Sequence, residues 1–554
     1  MGVAVLLEAC GAPAPTTGGA TPGAGTASVR PQGTGATPVK LPTFVAFQGA
    51  KPDFPASADG IMPAAFMNYP RSPARTVTKP VGSGDDVNAM MYTTQAPPTP
   101  VEQNAAWQQV NARLGVNMKL PIIQLADYNT KLNTTIAGGQ LPDLLSLGTG
   151  NGSAVANLPD FLSSQCQDLT AFLSGDAVKD YPNLANLPTY AWRNAVFNNL
   201  LYAVPCVRAS ITGAIMFGKG KLLEPVGGVS FKNADDFMRA MKQLTVGGTQ
   251  WGLGATSGAT NGVPGALTYF LESFGAPNGW RDNAGKLTKD WETEEFKAAV
   301  AFTRSLWDAG VMHPDSPSMQ VNQAAQNFYA GKTALWSNGF TIGDVAWNRA
   351  YAMDPEFMFR AIAPFSHDGA AHPVHHLGPG TMLLTVLRKT SDAARVKELL
   401  GVLSFFAAPF GTAEFLLIWY GVEGKEFSFD ANGNPIATVN SGGQAVTNPD
   451  LFIPWPNIGS PASVLYDANS ADYARVMYQD ASVIQKLGIQ NPTVGLYSPT
   501  NARLASTLTQ KMGDGLNDII FGRSSVSTLD QLVSDWRSQG GDQIRSEFQQ
   551  AMGG

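Results

Sequence analysis

The chain contains few cysteines and few charged residues for its length. Only 3 of its 554 residues are cysteine, and 14% are charged. A disulfide framework therefore cannot organise the fold. Apart from Cys10, the thiols are Cys166 and Cys206, which either bond to each other in an oxidising exterior or stay buried as small apolar side chains. The net charge of −6 and the lack of a basic block exclude the positive surface that nucleic-acid binding requires.

Long apolar runs are also missing. The longest candidate, residues 399–418, is interrupted by Pro409 and Glu414, whereas a membrane-spanning helix needs about 20 consecutive apolar residues. Hydrophobic residues nevertheless make up 44% of the composition, which is too much for a disordered chain. We therefore expect a soluble body with at least two lobes, each with its own core.

The environment of Cys10 resembles a bacterial lipoprotein processing site. Cys10 follows the apolar run 3–7 and the small residue Ala9, although Glu8 and the lack of a preceding Lys or Arg depart from the usual pattern. We interpret residues 1–10 as a signal remnant and Cys10 as the lipidated residue. The alternative is a stray cysteine on a disordered terminus.

Residues 11–40 have the composition of a disordered tether. Of these 30 residues, 24 are Gly, Ala, Pro or Thr, and none is aromatic or acidic, so the segment has nothing to bury. A flexible linker of this length spans about 30 Å on average. Cys10 and the tether together predict an extracytoplasmic protein anchored to the cell membrane as a lipoprotein. Residues 41–82 are rich in proline and lack periodicity, which predicts an extended lead-in.

The folded body is predicted to begin with alternating strands and helices. Residues 87–92, 116–123 and 144–147 have the apolar character of buried strands, and two amphipathic helices are predicted between them. A capping box formed by Thr99 and Glu102 is expected to start the first helix. Strands and helices that alternate at such short spacings require right-handed crossovers and a parallel sheet.

Two amides lie within four residues of the ends of predicted strands. Gln95 comes after the first strand and Asn151 after the third. Because ligands of open α/β sheets bind beyond the carboxyl ends of the strands, the topology predicts that Gln95 and Asn151 contact a ligand.

Three tryptophans beside glycine or proline are further candidates for ligand binding. Trp280 follows a Gly-rich loop, Trp336 lies two residues before Asn338, and Trp455 lies between two prolines. Indole rings stack on flat apolar ligand faces, and the Asn338 amide can both donate and accept hydrogen bonds. Core packing is the alternative for each indole, because most tryptophans are largely buried.

The histidines do not form a recognisable metal motif. Four of the five lie between residues 367 and 376, but Pro373 opposes a helix that would align them. In a strand, adjacent His375 and His376 point to opposite sides. We therefore predict a polar strand end or loop rather than a zinc site.

Calcium and catalytic motifs are likewise incomplete. Residues 430–434 begin like a calcium loop, but Pro435 stands where the turn glycine is required, so a hairpin turn is predicted. The chain contains no Gly-x-Ser-x-Gly elbow and no His-Glu-x-x-His motif. Paired carboxylates leave no local signature, which keeps an extracytoplasmic glycan hydrolase or lyase open as an alternative.

Several segments together resemble the large solute-binding lipoproteins of carbohydrate ABC importers, of the family 1 type. They include Ile136-Ala-Gly-Gly-Gln-Leu-Pro-Asp143, Leu201-Tyr-Ala-Val-Pro205, Phe328-Tyr-Ala-Gly331 and Trp536-Arg-Ser-Gln-Gly-Gly-Asp. The resemblance covers about residues 85–554 and depends on the order of the segments, since no single motif is decisive.

The resemblance implies an α/β fold of the two-lobe periplasmic-binding-protein type, class II-like, with discontinuous lobes joined by hinge strands. Residues 83–205 and 359–412 are assigned to lobe 1, and residues 206–358 and 413–554 to lobe 2. The implied protein is a monomer and not an enzyme. It captures an oligosaccharide or related polar solute in the interlobe cleft by hinge closure, and delivers it to the permease of an ABC transporter.

No cofactor is implied. Calcium enters only because some alginate-oligosaccharide relatives bind it, and the full ligand pattern of their loop is missing from this sequence. A peptide or another non-sugar solute remains an alternative ligand, because the family's range is broad.

Overall fold

The computed structural model describes residues 39–148, 155, 157–211, 213–256, 259–260, 263–264, 266–339, 359–438, 448–468 and 470–553. The predicted lipidation site Cys10, nearly all of the tether and the predicted ligand contact Asn151 lie outside these residues.

Within the described residues, ten strands form the two larger sheets. In chain order they are β1 (Asp86–Thr93), β2 (Asn117–Lys119), β3 (Ile122–Gln124), β4 (Leu144–Gly148), β5 (Ala203–Val207), β6 (Ala214–Lys219), β7 (Trp251–Gly254), β8 (Thr333–Gly339), β9 (Phe359–Ile362) and β10 (Thr381–Leu387). Shorter strands pair two by two: Ala64–Ala65 with Val464–Leu465, Val196–Phe197 with Leu200–Leu201, Ala259–Thr260 with Val263–Pro264, Trp280–Asn283 with Lys286–Lys289, His375–His376 with Gly488–Ile489, and Phe427–Phe429 with Pro435–Ala437.

The longer helices cover these sheets. They are α1 (Ala105–Leu114), α2 (Leu125–Ala137), α3 (Leu158–Gln165), α4 (Ala234–Leu244), α5 (Leu267–Ser273), α6 (Glu294–Asp308), α7 (Val321–Tyr329), α8 (Ala393–Phe406), α9 (Ala413–Tyr420), α10 (Ala471–Ile484), α11 (Pro499–Ile520), α12 (Thr528–Trp536) and α13 (Asp542–Gly553). Four-residue helices lie at Thr170–Leu173, Pro182–Ala185, Thr189–Trp192 and Gly220–Leu223.

The first sheet has the strand order β2, β1, β4, β10, β5, and β3 also lies beside β1. β1 is parallel to β2, β3 and β4, which confirms the predicted parallel arrangement. β10 is antiparallel to both β4 and β5, so it enters the sheet at the edge where its neighbours end. Helices α1, α2 and α8 contribute to the core of this lobe, which includes Trp107, Leu132 and Leu400.

The second sheet has the order β7, β8, β6, β9. β7 and β8 are parallel, and β6 is antiparallel to both β8 and β9. One face packs against α4, α5, α6 and α11 in a core that contains Phe237, Phe270 and Leu516. The other core on this sheet joins Phe217 and Trp336 to α7 and α10. The first and second sheets thus have separate cores, which confirms the predicted two-lobe α/β fold.

The chain crosses between the two lobes three times in the described part that follows β1. The first crossing leads from β5 to β6 and the second from β9 to β10. The third leads from Ile458 in the first core to α10, which is held against β9 by the ion pair between Arg360 and Asp480. The lobes are therefore discontinuous in sequence, as predicted.

The lobe boundaries differ from those predicted. β9, which begins the range 359–412 assigned to lobe 1, belongs to the second sheet. In the other direction, Ile418, Ile453 and Trp455 pack in the core of the first lobe, whereas the predicted boundaries place 413–554 in lobe 2. Both of these misassigned segments are apolar, so their composition does not show which lobe they belong to. Only their long-range packing does.

The first helix starts later than the capping box predicted. Glu102 lies within a single 3₁₀ turn, Val101–Gln103, that follows Thr99 and Pro100. Helix α1 begins after Asn104, whose Oδ1 accepts a hydrogen bond from the Trp107 N–H at 2.9 Å. The buried Asn104 amide also donates to the Thr99 carbonyl, which holds it in the capping position. The predicted strand 116–123 is two strands, because the proline between them has no N–H to donate.

Cys166 and Cys206 are buried and not bonded to each other. Burial raises the pKa of both thiols to about 12. They are therefore thiols rather than thiolates at neutral pH and act as small apolar side chains. The turn at 430–434 joins two short antiparallel strands, which confirms the predicted hairpin.

Residues 39–82 pack on both lobes, and we call this segment the N-terminal strap. Phe54 stacks on Tyr478 of α10, with ring centroids 4.9 Å apart. Ala64–Ala65 then pairs in parallel with Val464–Leu465 on the second lobe. The backbone is extended, as predicted, but the prediction does not include these contacts. They join residues near the amino terminus of the chain to residues 464–478.

The strap then returns to the first lobe at Tyr69. This side chain is only 1% exposed, and its hydroxyl donates to the Thr412 carbonyl at 3.0 Å. A few residues later, the Thr76 N–H and hydroxyl donate to the buried Glu414 carboxylate. These contacts make the strap part of the first lobe's folded unit.

Replacing Tyr69 tests whether the strap belongs to that unit. We expect Tyr69→Ala to lower the free energy of unfolding by about 3–5 kcal/mol, because it removes a fully packed ring. Tyr69→Phe keeps the ring and loses one hydrogen bond, so about 1 kcal/mol is expected. Urea unfolding measures both. Equal unfolding midpoints for Tyr69→Ala and the unmodified protein would show that the strap unfolds independently of the first lobe.

Candidate ligand-binding cleft

The carboxyl ends of strands from both sheets border the same space. β5 ends at Val207, where the chain leaves for the second lobe, and β6 begins at Ala214. Gly339, the last residue of β8, lies opposite Ala214 in the register. The edge of the first sheet where β1, β4 and β5 end therefore faces the edge of the second sheet where β7 and β8 end. This arrangement places a cleft at the hinge.

We call the residues along these edges the strand-end segments. They are residues 93–95, 124, 148, 207–211, 213–214, 255–256, 337–339 and 378–381. Most of their side chains are neutral hydrogen-bonding groups or small apolar groups.

Gln95 lies at the first-lobe edge, where the sequence placed it. Its N–H donates to Thr93 Oγ1 at 3.0 Å, and its carbonyl accepts from Gln124 Nε2 at 3.2 Å. The backbone is thereby held in place while the Gln95 side chain remains partly exposed. The position suits ligand contact, and the role of Gln95 stays a prediction.

Asn338 lies at the opposite edge, near the end of β8. Its Oδ1 accepts a hydrogen bond from the Gly339 N–H at 2.6 Å, and the residue is partly exposed. Gln95 and Asn338 thus stand on different lobes that meet at one hinge, which is the placement required of residues that bridge a ligand. The contact of Asn338 with ligand also stays a prediction.

The three candidate tryptophans lie in hydrophobic cores. Trp455 stacks on Phe406 with centroids 4.8 Å apart, and Trp280 packs against Trp536 at 5.8 Å. Trp336 packs against Phe328. Their exposures are 2%, 2% and 1% respectively, so no ring face is open to a sugar in this conformation. The core alternative fits all three better than ligand stacking.

The sequence analysis did not identify two residues at the hinge, Arg208 and Tyr92. Arg208 is the first residue after β5, and its N–H donates to the Gly380 carbonyl at 3.0 Å. Burial lowers the pKa of the Arg208 guanidinium, and the nearby Tyr92 phenol opposes that shift. Part of Arg208 nevertheless remains exposed. It is therefore a largely buried cation near the hinge.

Tyr92 stands beside Arg208 near the carboxyl end of β1. Burial raises the pKa of Tyr92 to about 12, although the positive charge of Arg208 acts in the opposite direction. The phenol is therefore protonated at neutral pH and is available as a donor. Applying the strand-end rule to the end of β5 as well as to β1 and β4 would have found Arg208.

The hinge also contains a buried histidine between two acceptors. His375 Nδ1 lies 3.2 Å from the Glu272 carboxylate, and Nε2 lies 3.1 Å from the Ile211 carbonyl. Both ring nitrogens need a proton to satisfy these partners, so the imidazole is the charged form. His375 is fully buried, in contrast to the predicted polar strand end or loop. Glu272 also accepts the His376 N–H at 2.8 Å.

This network joins two interlobe crossings to the second lobe. Ile211 belongs to the first crossing, His375 to the second, and Glu272 to α5. Burial alone lowers the pKa of His375, but the Glu272 carboxylate and the Ile211 carbonyl raise it above its usual value. Burial lowers the pKa of neighbouring His376, which bonds the Ala276 carbonyl. The charged pair is therefore His375 with Glu272.

The raised pKa of His375 predicts a pH dependence of stability. The folded pKa lies above the unfolded value of about 6.5, so the contribution is complete below pH 6.5 and is lost as pH rises through the folded pKa. Urea unfolding between pH 5 and 9 should show this decline, and His375→Gln should flatten it. The exposed His372 offers a control, since His372→Gln should leave the slope unchanged. Parallel pH profiles for the unmodified protein and His375→Gln would contradict the assignment.

Replacing Trp280 separates its core role from ligand stacking. We expect Trp280→Ala to lower the free energy of unfolding by about 3–5 kcal/mol, because the ring fills a buried site between α12 and α13. The partly exposed Trp251 serves as control, and Trp251→Ala should cost less. If Trp280→Ala kept the free energy of unfolding of the unmodified protein but lost ligand affinity, Trp280 would be a ligand-stacking residue after all.

Neither a metal-binding cluster nor a membrane-spanning helix is found among the described residues. No group of three or more His, Cys, Asp or Glu side chains in that part of the chain is arranged to hold a metal ion. No helix among the same residues combines the length and apolar character needed to cross a membrane.

Comparisons with known proteins agree with this architecture. The chain is 24% identical over 474 residues to the polygalacturonan/rhamnogalacturonan-binding protein YtcQ of Bacillus subtilis. The aligned region covers 84% of this chain and 90% of YtcQ. It is 21% identical over 498 residues to lipoprotein LipO of the same organism, covering 88% of this chain and 96% of LipO.

A solved structure shares the fold. It is an HMO-binding, ABC-transporter-associated solute-binding protein from Bifidobacterium longum infantis, with a TM-score of 0.61 and 12% identity over 85% of this chain and 99% of that protein. Residues 99–405 also match the family model described as bacterial extracellular solute-binding protein. Since that match spans more than half of the chain, the protein belongs to the family of bacterial extracellular solute-binding proteins.

Proposed function

We propose that the protein captures an oligosaccharide or related polar solute between its lobes and delivers it to the permease of an ABC transporter. The observation that carries the proposal is the opposition of two strand-end edges across the hinge, with Gln95 on one edge and Asn338 on the other. A ligand that contacts both edges stabilises the closed arrangement in proportion to its greater affinity for that state. The protein itself then acts as a monomeric receptor rather than a catalyst.

The chemistry of the edges suits a sugar. The strand-end segments offer Thr, Ser, Asn and Gln side chains, which both donate and accept hydrogen bonds, as hydroxyl groups require. Tyr92 and Tyr190 are partly exposed aromatic rings near Arg208. They are better placed than the buried tryptophans to meet the apolar face of a sugar ring. The names of YtcQ and the Bifidobacterium protein refer to glycan ligands, which supports the same class here.

Hinge closure is the motion that the connections favour. In the described part of the chain, three crossings and the strap join the lobes, and lobes joined by a few connecting segments move largely as rigid bodies about those segments. The permease would then distinguish the closed, loaded form from the open form by shape.

Anchoring through Cys10 completes the proposal. The cysteine lies ahead of the tether-like segment 11–40, and the similarity to a protein named as a lipoprotein supports lipidation. A lipid anchor at the cell membrane would keep the receptor close to its transporter.

Thermal unfolding with a glycan panel tests the function. A ligand at 100 times its dissociation constant should add about 2.7 kcal/mol of stability, and small-angle scattering should show a smaller radius of gyration when that ligand is bound. The panel should include trigalacturonate, maltotriose and kestose, with a peptide mixture as comparison. Stabilisation by peptides alone would show that the ligand is a peptide rather than a glycan. Sustained release of new reducing ends from the glycans would show catalysis and contradict a transport role.

The two edge amides provide a residue-level test. Gln95→Ala and Asn338→Ala should each weaken binding about fivefold, since one hydrogen bond contributes about 1 kcal/mol. Isothermal titration with the glycan found in the panel measures the change. Gln531 is exposed on α12, outside the strand-end segments, so Gln531→Ala should bind normally. Unchanged affinity in both edge variants would place the ligand elsewhere.

A further inference from the structure

The middle of the N-terminal strap folds into a short hairpin, residues 54–65, which we call the strap hairpin. The Phe54 N–H donates to the Ala65 carbonyl at 3.1 Å, and the Ala65 N–H donates back to the Phe54 carbonyl at 2.9 Å. At the turn, the Gly60 N–H donates to the Ser57 carbonyl at 2.9 Å, and Gly60 has a φ of 72°, which favours glycine. The strap hairpin is therefore a defined element of the fold.

The strap hairpin pairs with the third interlobe crossing. Ala64–Ala65 lies opposite Val464–Leu465 in a parallel register. The next residue, Phe66, extends this pairing, because its N–H donates to the Leu465 carbonyl at 2.9 Å. Val464 and Leu465 belong to the stretch of chain that leads to α10, so a short backbone ladder joins the strap hairpin to this crossing.

The strap hairpin also shares a hydrophobic core with the first crossing. Met62 and Ala65 of the hairpin belong to the same core as Ala209 and Ile211, which lie between β5 and β6. None of these four side chains is more than 3% exposed. The burial of apolar surface therefore holds the strap hairpin on this side of the hinge.

Tyr190 connects the turn of the strap hairpin to the second crossing. A Cβ placed on Gly60 would lie 3.2 Å from Tyr190 Cε1, and one placed on Gly380 would lie 2.4 Å from Tyr190 Cδ2. The two glycines therefore approach opposite edges of one ring. The Tyr190 hydroxyl also donates to the Arg208 carbonyl of the first crossing at 3.5 Å. In the described part of the chain, the strap hairpin thus reaches all three crossings, the second of them through Tyr190.

The strap is attached to a different lobe on each side of a short connection. Within the strap hairpin, Phe54 stacks on Tyr478 of α10 in the second lobe, with ring centroids 4.9 Å apart. After the hairpin, the Tyr69 hydroxyl bonds the Thr412 carbonyl of the first lobe at 3.0 Å. Residues 66–68 alone connect the two attachments, and three residues span at most about 10 Å. A large rotation of the second lobe would therefore break one attachment or the other.

We propose that the strap hairpin is a brace of the hinge, which stabilises the described arrangement of the crossings and limits the rotation of the second lobe. The inference goes beyond ligand capture, because it concerns how far the cleft opens and not what enters it. A single aromatic pair or hydrogen bond changes an equilibrium only several-fold. Because one hairpin is attached to three crossings, however, its contacts all act on the same motion of the lobes.

Hydrogen–deuterium exchange of the ligand-free protein tests the brace. The readout is the exchange rate of peptides that cover residues 207–211 and 377–381, where the first two crossings bond each other. Phe54→Ala removes the stack on Tyr478 and should speed exchange in both peptides about fivefold, because exchange reports the population of locally opened states. The milder Tyr478→Phe keeps the stack and loses the 2.7 Å hydrogen bond to the Pro55 carbonyl, so a smaller increase is expected.

Phe44→Ala is the matched control, because Phe44 is an aromatic residue of the same strap and is 50% exposed. It lies between the hydrogen bonds from the strap to Gly175 and Ala185 of the first lobe, so its loss should leave both peptides unchanged. Strand β4 reports general destabilisation and should exchange at the same rate in every variant. Unchanged crossings in both Phe54→Ala and Tyr478→Phe would overturn the brace, and so would an equal increase in β4 in both. Neither result would affect glycan capture, which the glycan panel tests separately.

Discussion

The position of the cleft depends on a short stretch of backbone hydrogen bonds between two interlobe segments. The Arg208 N–H donates to the Gly380 carbonyl, and the Gly378 N–H donates to the Ser210 carbonyl at 2.6 Å. Gly380 has a φ of 79°, and a Cβ there would lie 2.4 Å from the Tyr190 ring, so glycine alone permits this approach. Because the two segments run side by side, both sheets end toward the same space.

Apolar and polar side chains have separate roles in this arrangement. The large aromatic rings stabilise the lobes from within, as Trp280 and Trp455 illustrate. The strand ends carry small neutral groups whose net hydrogen-bond energies are about 1 kcal/mol each. Such groups exchange water for ligand at little cost, which suits repeated capture and release. The buried ion pair of His375 with Glu272 adds a specific geometry at the hinge.

Local sequence patterns determined much of the fold and less of the site. The alternation of apolar strands and helices after residue 85 correctly predicted the parallel part of the first sheet, because periodicity reports burial directly. The neighbours of Trp280 suggested an exposed loop, but its burial is caused by Trp536, far away in the chain. His375 and Glu272 are 103 residues apart, and no local pattern reports such a pair. Gln95 could be placed at a sheet edge because the end of the preceding strand is visible in the sequence, whereas Asn338 was singled out only as a polar neighbour of Trp336.

The strap has a mechanical consequence for a hinged protein. The described chain begins against the first lobe, where the Val39 N–H donates to Asn199 Oδ1 at 2.7 Å and the Thr43 N–H to the Gly175 carbonyl at 2.9 Å. Any load arriving from the amino-terminal side is therefore taken up by the first lobe. In the proposed closure, the first lobe would thus be the fixed lobe, and the second lobe would rotate relative to it while in contact with the strap through Phe54 and Tyr478.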